Sequence, residues 1–184
     1  MKKQQLITAI ETNRETIALL AEKRLDENDV FRTFLNNKDG GIIDEMVFRI
    51  NENISPRVDC TKCGACCKTL MINVTPCEAE SVAQYLDMST SRFKEKYMEE
   101  SMQGQMIMNR IPCHFLENTI CTIYEQRFTG CREFPHLHRK NFKNRLFGTL
   151  IHYAICPIIF NVIEQLKVET AFFENVRVSD PGLQ

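Results

Sequence analysis

Four cysteines fall within eight positions of the stretch DCTKCGACC: Cys60, Cys63, Cys66 and Cys67. Two thiolates separated by two residues can grip one metal ion, and Gly64 after the second lets the backbone turn so that its amides approach the sulfurs. Cys66 repeats the spacing. Three thiols at CxxCxxC spacing also occur in cluster-binding ferredoxins, where a remote cysteine followed by proline completes the ligands. Here Cys156-Pro157 stands far downstream. Cys67 departs from that run by lying directly beside Cys66. Adjacent side chains project in different directions, so the pair is expected to serve two metals or to commit only one thiol. Cys113, Cys121, Cys131 and Cys156 bring the number outside Cys77 to eight, enough for two four-coordinate sites. Spacing leaves the division between sites open.

The chain has nine cysteines in 184 residues. It is long enough to bury a core without covalent staples, so stability alone does not require them. An odd number leaves one thiol over in any disulfide framework, and adjacent cysteines make a poor mutual bridge. The N-terminal patch LITAI is followed at once by Glu11, Asn13, Arg14 and Glu15, where an export signal would continue its apolar run. A cytoplasmic setting is therefore expected, in which disulfides are rare and clustered thiols act as ligands. The run IHYAICPIIFNVI is interrupted by His152, Pro157 and Asn161 and is too short to span a bilayer, so no membrane partner is expected.

Formal charge is −1, from 23 basic and 24 acidic residues, which gives no bulk attraction to nucleic acid. The run HRKNFKNR, with Arg139, Lys140, Lys143 and Arg145 around one aromatic ring, suits RNA or an acidic partner, and equally a solvated helix face. The second reading is preferred, and no nucleic acid is expected. His136, His138 and His152 lack any HxxxH or HExxH arrangement and read as packing or surface residues. His114, beside Cys113, is open to a role as ligand or packing residue. Cys77 belongs to no spaced group and reads as a spare thiol.

The CxxCxxCC run, followed by CHFLENTICTIYEQR, CREFP and then CP, resembles the YkgJ-type cysteine-cluster family of zinc- or iron-chelating domains. The resemblance extends from Cys60 to about Lys167. It implies that Cys60, Cys63, Cys66, Cys67, Cys113, Cys121, Cys131 and Cys156 are the metal ligands. It also makes Phe115, Leu116, Ile123, Tyr124, Arg127, Arg132, Phe134 and Pro135 their surrounding signature. Two positions depart from the family pattern: His114 and Phe128 stand where proline is usual. Arg127 and Arg132 can offset thiolate charge, or can pair with Glu125 and Glu133 at the surface.

The elements that must position these thiols read as mostly helical. Leu6, Ile10, Ile17 and Leu20 place a helix over 4–24, and Val30, Phe31, Phe34 and Leu35 a second. NNKDGG ends it, with Gly40 and Gly41 as permissive turn residues. Ile42, Ile43, Met46, Val47, Ile50 and Ile54 mark a third, closed by Ser55-Pro56. Thr75, Pro76 and Glu78 form a helix start with a capping box, from which Val82, Tyr85 and Leu86 face inward. STSRFKEKY starts another helix. From Met106 short strands and loops are expected, broken by Pro112 and the turn LENT. FKNRLFGTLIHYA and PIIFNVIEQLKVETAFF are two further helices, the second starting at Pro157.

The expected architecture is mainly α with a few short strands, a helical scaffold around a cysteine-rich metal centre. Residues 1–55 form an N-terminal helical segment, 56–175 the metal-binding domain and 176–184 a tail. The expected function is to hold zinc or iron through thiolates, an iron–sulfur cluster being one form. The alternatives are an iron–sulfur redox or modification enzyme and a zinc-stabilised interaction module. No catalytic base, nucleophile or nucleotide fingerprint stands out to support the enzyme.

Overall fold

The structure is a computed structural model, and it describes residues 9–179. Helices dominate, and the only strands among the described residues form two small antiparallel hairpins. The mainly α expectation is met. Residues 59–134 form one compact unit, and residues 9–58 together with 135–179 form another.

Helix α1 (Arg14–Lys23) starts where Asn13 accepts the Thr16 amide, ten residues after the expected start. Part of that expected helix, 4–8, lies outside the described residues. Helix α2 (Leu25–Asn36) buries Phe31 and Leu35. Helix α3 (Gly40–Ile54) begins directly at the glycines that were expected to form a turn. Asp39 caps it by accepting the Ile42 amide, so Gly40 and Gly41 sit in the first turn with ordinary helical backbone. Ile43, Val47, Ile50 and Ile54 form its buried stripe.

In the cysteine unit, α4 (Cys60–Cys63) is a single turn capped by Asp59, and a 3₁₀ turn follows over Cys66–Lys68. Helix α5 (Pro76–Tyr85) has the capping box read from sequence, Thr75 and Glu78 each bonding the other's backbone. Val82 is buried, but Tyr85 is 54% exposed and does not face the core. Helix α6 (Thr90–Tyr97), capped by Ser89, buries Phe93 and runs into β1 (Met98–Glu100). Strand β1 pairs with β2 (Met106–Met108), Met98 opposite Met108. Strands β3 (Leu116–Glu117) and β4 (Ile120–Cys121) form a tight hairpin turning at Asn118, whose φ is 58°. Helix α7 (Thr129–Glu133) is short. The unit's core joins Val74, Val82, Phe93, Met108, Phe115 and Phe128.

The chain returns to helices with α8 (Phe142–Ile151), α9 (Pro157–Glu169) and α10 (Phe172–Ser179). One helix was expected through Phe173. It breaks at Ala171, which takes a left-handed backbone (φ 53°), and α10 begins at the next residue. Helix α9 is buried nearly all round and packs on α3, α1 and α10. Asn161 on it exchanges hydrogen bonds with the Glu11 backbone at 2.7 and 2.9 Å. Helix α8 lacks a local cap. Asp44 of α3 supplies one by accepting the amides of Asn141 and Phe142, both at 2.8 Å.

Candidate metal centre

Six cysteines line one cavity of about 140 Å³ within the unit of residues 59–134: Cys60, Cys66, Cys67, Cys113, Cys121 and Cys131. Short, sharply turned segments bring them there. Asp59 starts the α4 turn by accepting the Thr61 amide and hydroxyl at 3.0 and 2.6 Å, and Gly64 ends it. Gly64 has a left-handed backbone (φ 58°), and a Cβ on it would lie 3.1 Å from the Thr119 backbone. Glycine is required there on both counts. The close approach sets the α4 turn against the β3–β4 hairpin, which carries Cys121.

The 3₁₀ turn then aims Cys66 and Cys67 at the same cavity, their sulfurs 3.9 Å apart. Two sulfurs bound at about 2.3 Å to one tetrahedral ion lie about 3.8 Å apart. Adjacency, expected to make them awkward joint ligands, therefore brings them to a suitable separation in this turn. The Cys113 amide donates to the Cys67 carbonyl at 2.8 Å, fixing the third segment beside the second. Cys131 rides on α7. That helix is held from α5, because Glu78 accepts the Thr129 amide at 2.6 Å with the oxygen its capping box leaves over.

No disulfide joins any of the nine cysteines. Burial, reinforced by neighbouring thiolates, pushes the Cys113 and Cys131 thiols up, Cys131 to about 12. Burial likewise raises Cys60 and Cys121. Cys66 is the exception: a hydrogen bond from the Cys67 thiol holds it at about 7, and the same bond, with burial, raises Cys67. Cys66 therefore ionises first. Among the described residues no three His, Cys, Asp or Glu side chains are grouped as a metal would hold them. Protonated sulfurs have no mutual attraction, and ligation must displace their protons.

Phe115, Ile123, Tyr124, Phe128, Phe134 and two arginines also line the cavity. Arg127 stacks on Tyr124 at 3.8 Å and donates to its carbonyl at 2.7 Å. Its charge lowers Cys60, Cys121 and Cys131 against the burial that raises them. Arg132 bonds the Arg127 carbonyl and, at 3.3 Å, the Thr129 hydroxyl. Both arginines thus line the thiol cavity.

Cys63 sits on α4 but does not line the cavity, and Cys156 belongs to the helical unit, buried at the cap position of α9. Cys77 is exposed in the first turn of α5. His114 also stays off the cavity: its Nε2 bonds Asn109 Oδ1 at 2.7 Å and its ring packs edge-on to Tyr97. In the basic run, Lys143 bonds the carbonyls of Asn36 and Lys38, and Arg145 those of His136 and Lys140. Thr61 and Thr119 line the cavity without having been singled out from sequence. Nothing local marks them, since only the fold brings Thr119 to Gly64.

Residues 59–149 match the family model CxxCxxCC, described as "Putative zinc- or iron-chelating domain". This stretch of the chain belongs to that family. The CxxCxxCC match contains all six cavity cysteines, Cys63 and Cys77, and ends before Cys156. No curated protein and no solved structure matched the chain. No helix among the described residues is long and apolar enough to cross a membrane.

Proposed function

We propose that the protein binds zinc or iron through the thiolates of Cys60, Cys66, Cys67, Cys113, Cys121 and Cys131, in a centre containing more than one metal atom. The carrying observation is that six thiols share one cavity. One tetrahedral ion uses four ligands, so six exceed what it needs. A volume of about 140 Å³ exceeds the roughly 30 Å³ that a single water occupies, leaving room for more than one ion. An iron–sulfur cluster suits this space, its apolar walls and the two guanidinium groups that offset its charge. Cys63 and Cys156 are retained as ligands on resemblance alone.

The chain's own part is physical. Burial raises most of the thiols, so metal uptake releases protons and strengthens as pH rises. The Cys66–Cys67 pair, already at a tetrahedral separation and partly ionised at neutral pH, is the natural first point of capture. That same separation favours zinc as a second reading, since a zinc site also takes two thiolates on one ion. Anaerobic purification, elemental analysis and an absorption spectrum decide between them. Iron with acid-labile sulfide and a brown colour is the expected result. A colourless protein with stoichiometric zinc would assign a structural zinc centre instead, and a protein that takes up neither metal would overturn the reading.

A further inference from the structure

Two four-coordinate ions make eight bonds to their ligands. Six thiols line the cavity, and Cys63 and Cys156 lie outside it. If each of the six bound one ion only, two bonds would be missing however the six were divided. Two thiolates that each touch both ions complete the set. Such a pair has to sit side by side, because both of its sulfurs bind the same two ions.

Cys66 and Cys67 meet that condition. One 3₁₀ turn carries both, and their sulfurs are 3.9 Å apart, close to the separation of about 3.8 Å that one tetrahedral ion sets. The other four thiols come from separate segments: Cys60 from α4, Cys113 from the loop ahead of β3, Cys121 from β4 and Cys131 from α7. They can therefore divide two and two between the ions. Backbone contacts hold these segments around the shared turn. The Cys113 amide bonds the Cys67 carbonyl at 2.8 Å, and Gly64 lets the α4 turn pack against the hairpin that carries Cys121. Charge on Cys66 acts on each of the other five thiols, so its sulfur lies within electrostatic reach of every other ligand. Six thiolates around two divalent ions leave two negative charges, and the guanidinium groups of Arg127 and Arg132 at the cavity match them.

We propose that Cys66 and Cys67 are the bridging ligands of a two-ion, sulfide-free form of the centre, in which Cys60, Cys113, Cys121 and Cys131 each bind one ion. This pairing rests on the proposed centre of more than one metal atom, and names the thiols that its ions share. In an iron–sulfur cluster sulfide bridges the metals. In this form the chain supplies the bridges itself, so divalent ions alone fill the site, and Cys63 and Cys156 are dispensable for it.

Cobalt(II) is the probe, since it takes the ligands of zinc and iron(II) and is paramagnetic. The full-length chain, stripped of metal, is titrated with cobalt(II) in the absence of oxygen and sulfide. Thiolate-to-cobalt absorption should saturate at two ions per chain. The loaded protein should lose most of the EPR signal of two isolated ions, because shared thiolates couple their spins. This coupling is read on the parent chain, independently of any variant. Against a competing chelator, Cys66→Ala should weaken both ions, since it removes a bond from each, and Cys121→Ala should weaken one. A variant carrying both Cys63→Ser and Cys156→Ser should still take two. Two ions with the full signal of isolated centres would overturn the bridging pair and leave the centre of several metal atoms standing. Saturation at one ion, or no uptake, would overturn both. Weakening of a single ion by Cys66→Ala, or loss of an ion from the double variant, would overturn the shared pair.

Discussion

The two units of this chain solve the problem of their interiors in opposite ways. The helical unit fills its centre with α9 and with the buried faces of α1, α2 and α3, and the charges it buries are matched from within. Lys167 is 0% exposed, and its ammonium lies 2.6 Å from Glu27 and 2.8 Å from Glu164. Glu164 also receives Arg24 at 2.7 Å and the Tyr153 hydroxyl at 2.5 Å. Around its thiols the cysteine unit is built from single turns and strands of two or three residues, and it surrounds a cavity with six sulfurs and two guanidinium groups. A region whose elements are too short to support one another, and whose thiols gather around one cavity, gains most from an outside partner that those thiols can hold.

Metal removal is the sharpest way to break this comparison. Stripping the ion should speed exchange of the slowest amides in residues 59–134 by about a thousandfold or more, equivalent to about 4 kcal/mol. Helices α3 and α9 should keep their protection. Hydrogen exchange with and without chelator measures both at once. Equal loss in the two units, or none in either after verified removal, would refute the division of roles.

The next effect belongs to the helical unit. Lys167→Met keeps the volume of the side chain but leaves Glu27 and Glu164 short of a cation, and breaking a buried pair from one side costs about 3–5 kcal/mol. Glu164 retains Arg24 and Tyr153, so a loss near 3 kcal/mol is expected from urea denaturation. Metal content should be unchanged. A variant that loses its metal along with its stability would show that the two units are not energetically separate.

The same contrast explains what could be read from sequence. The helices of both units followed from local signals: the buried stripe of α3, the capping box of α5 and Pro157 at the start of α9 are each encoded within a few residues. Turn glycines were legible only where a sharp bend needed them, at Gly64. At Gly40 and Gly41 the cap supplied by Asp39 won over turn propensity. The cysteines were visible as a set, but six of them meet through long-range geometry: an α4 turn against the β3–β4 hairpin and a 3₁₀ turn beside Cys113. Residues 135–179 share a compact unit with residues 9–58, a grouping that no local signal announces. Amphipathic periodicity says that a face is buried and not which partner buries it.

Two glycines sharpen the comparison with one substitution. Gly64→Ala forces a left-handed backbone onto alanine and sets its Cβ against the Thr119 backbone, which should cost about 2 kcal/mol in the metal-loaded protein. Gly148→Ala meets nothing, and should stabilise by about 0.5–1 kcal/mol through helix propensity. Thermal denaturation of the two variants should give shifts of opposite sign. Shifts of the same sign would mean that backbone demands do not differ at the two positions.

The smallest effect, and the most diagnostic in form, is at Glu78. Burial acts to raise its carboxyl, but hydrogen bonds from Thr129 and Thr75 outweigh it and hold the group at about 2, below its ordinary value of 4.5. A depressed carboxyl contributes stability that is fully present above the unfolded value and is lost as pH falls toward and through the folded one. Glu78→Gln keeps a capping side chain while removing the charge, and should cost about 1 kcal/mol at neutral pH. The gap in urea midpoint between parent and variant should stay flat above about pH 5, shrink below 4.5 and vanish near 2. Because Glu78 ties the start of α5 to the start of α7, which carries Cys131, the variant should also release metal to a competing chelator sooner. A gap independent of pH would mean that the carboxylate charge is not what joins these two helix starts.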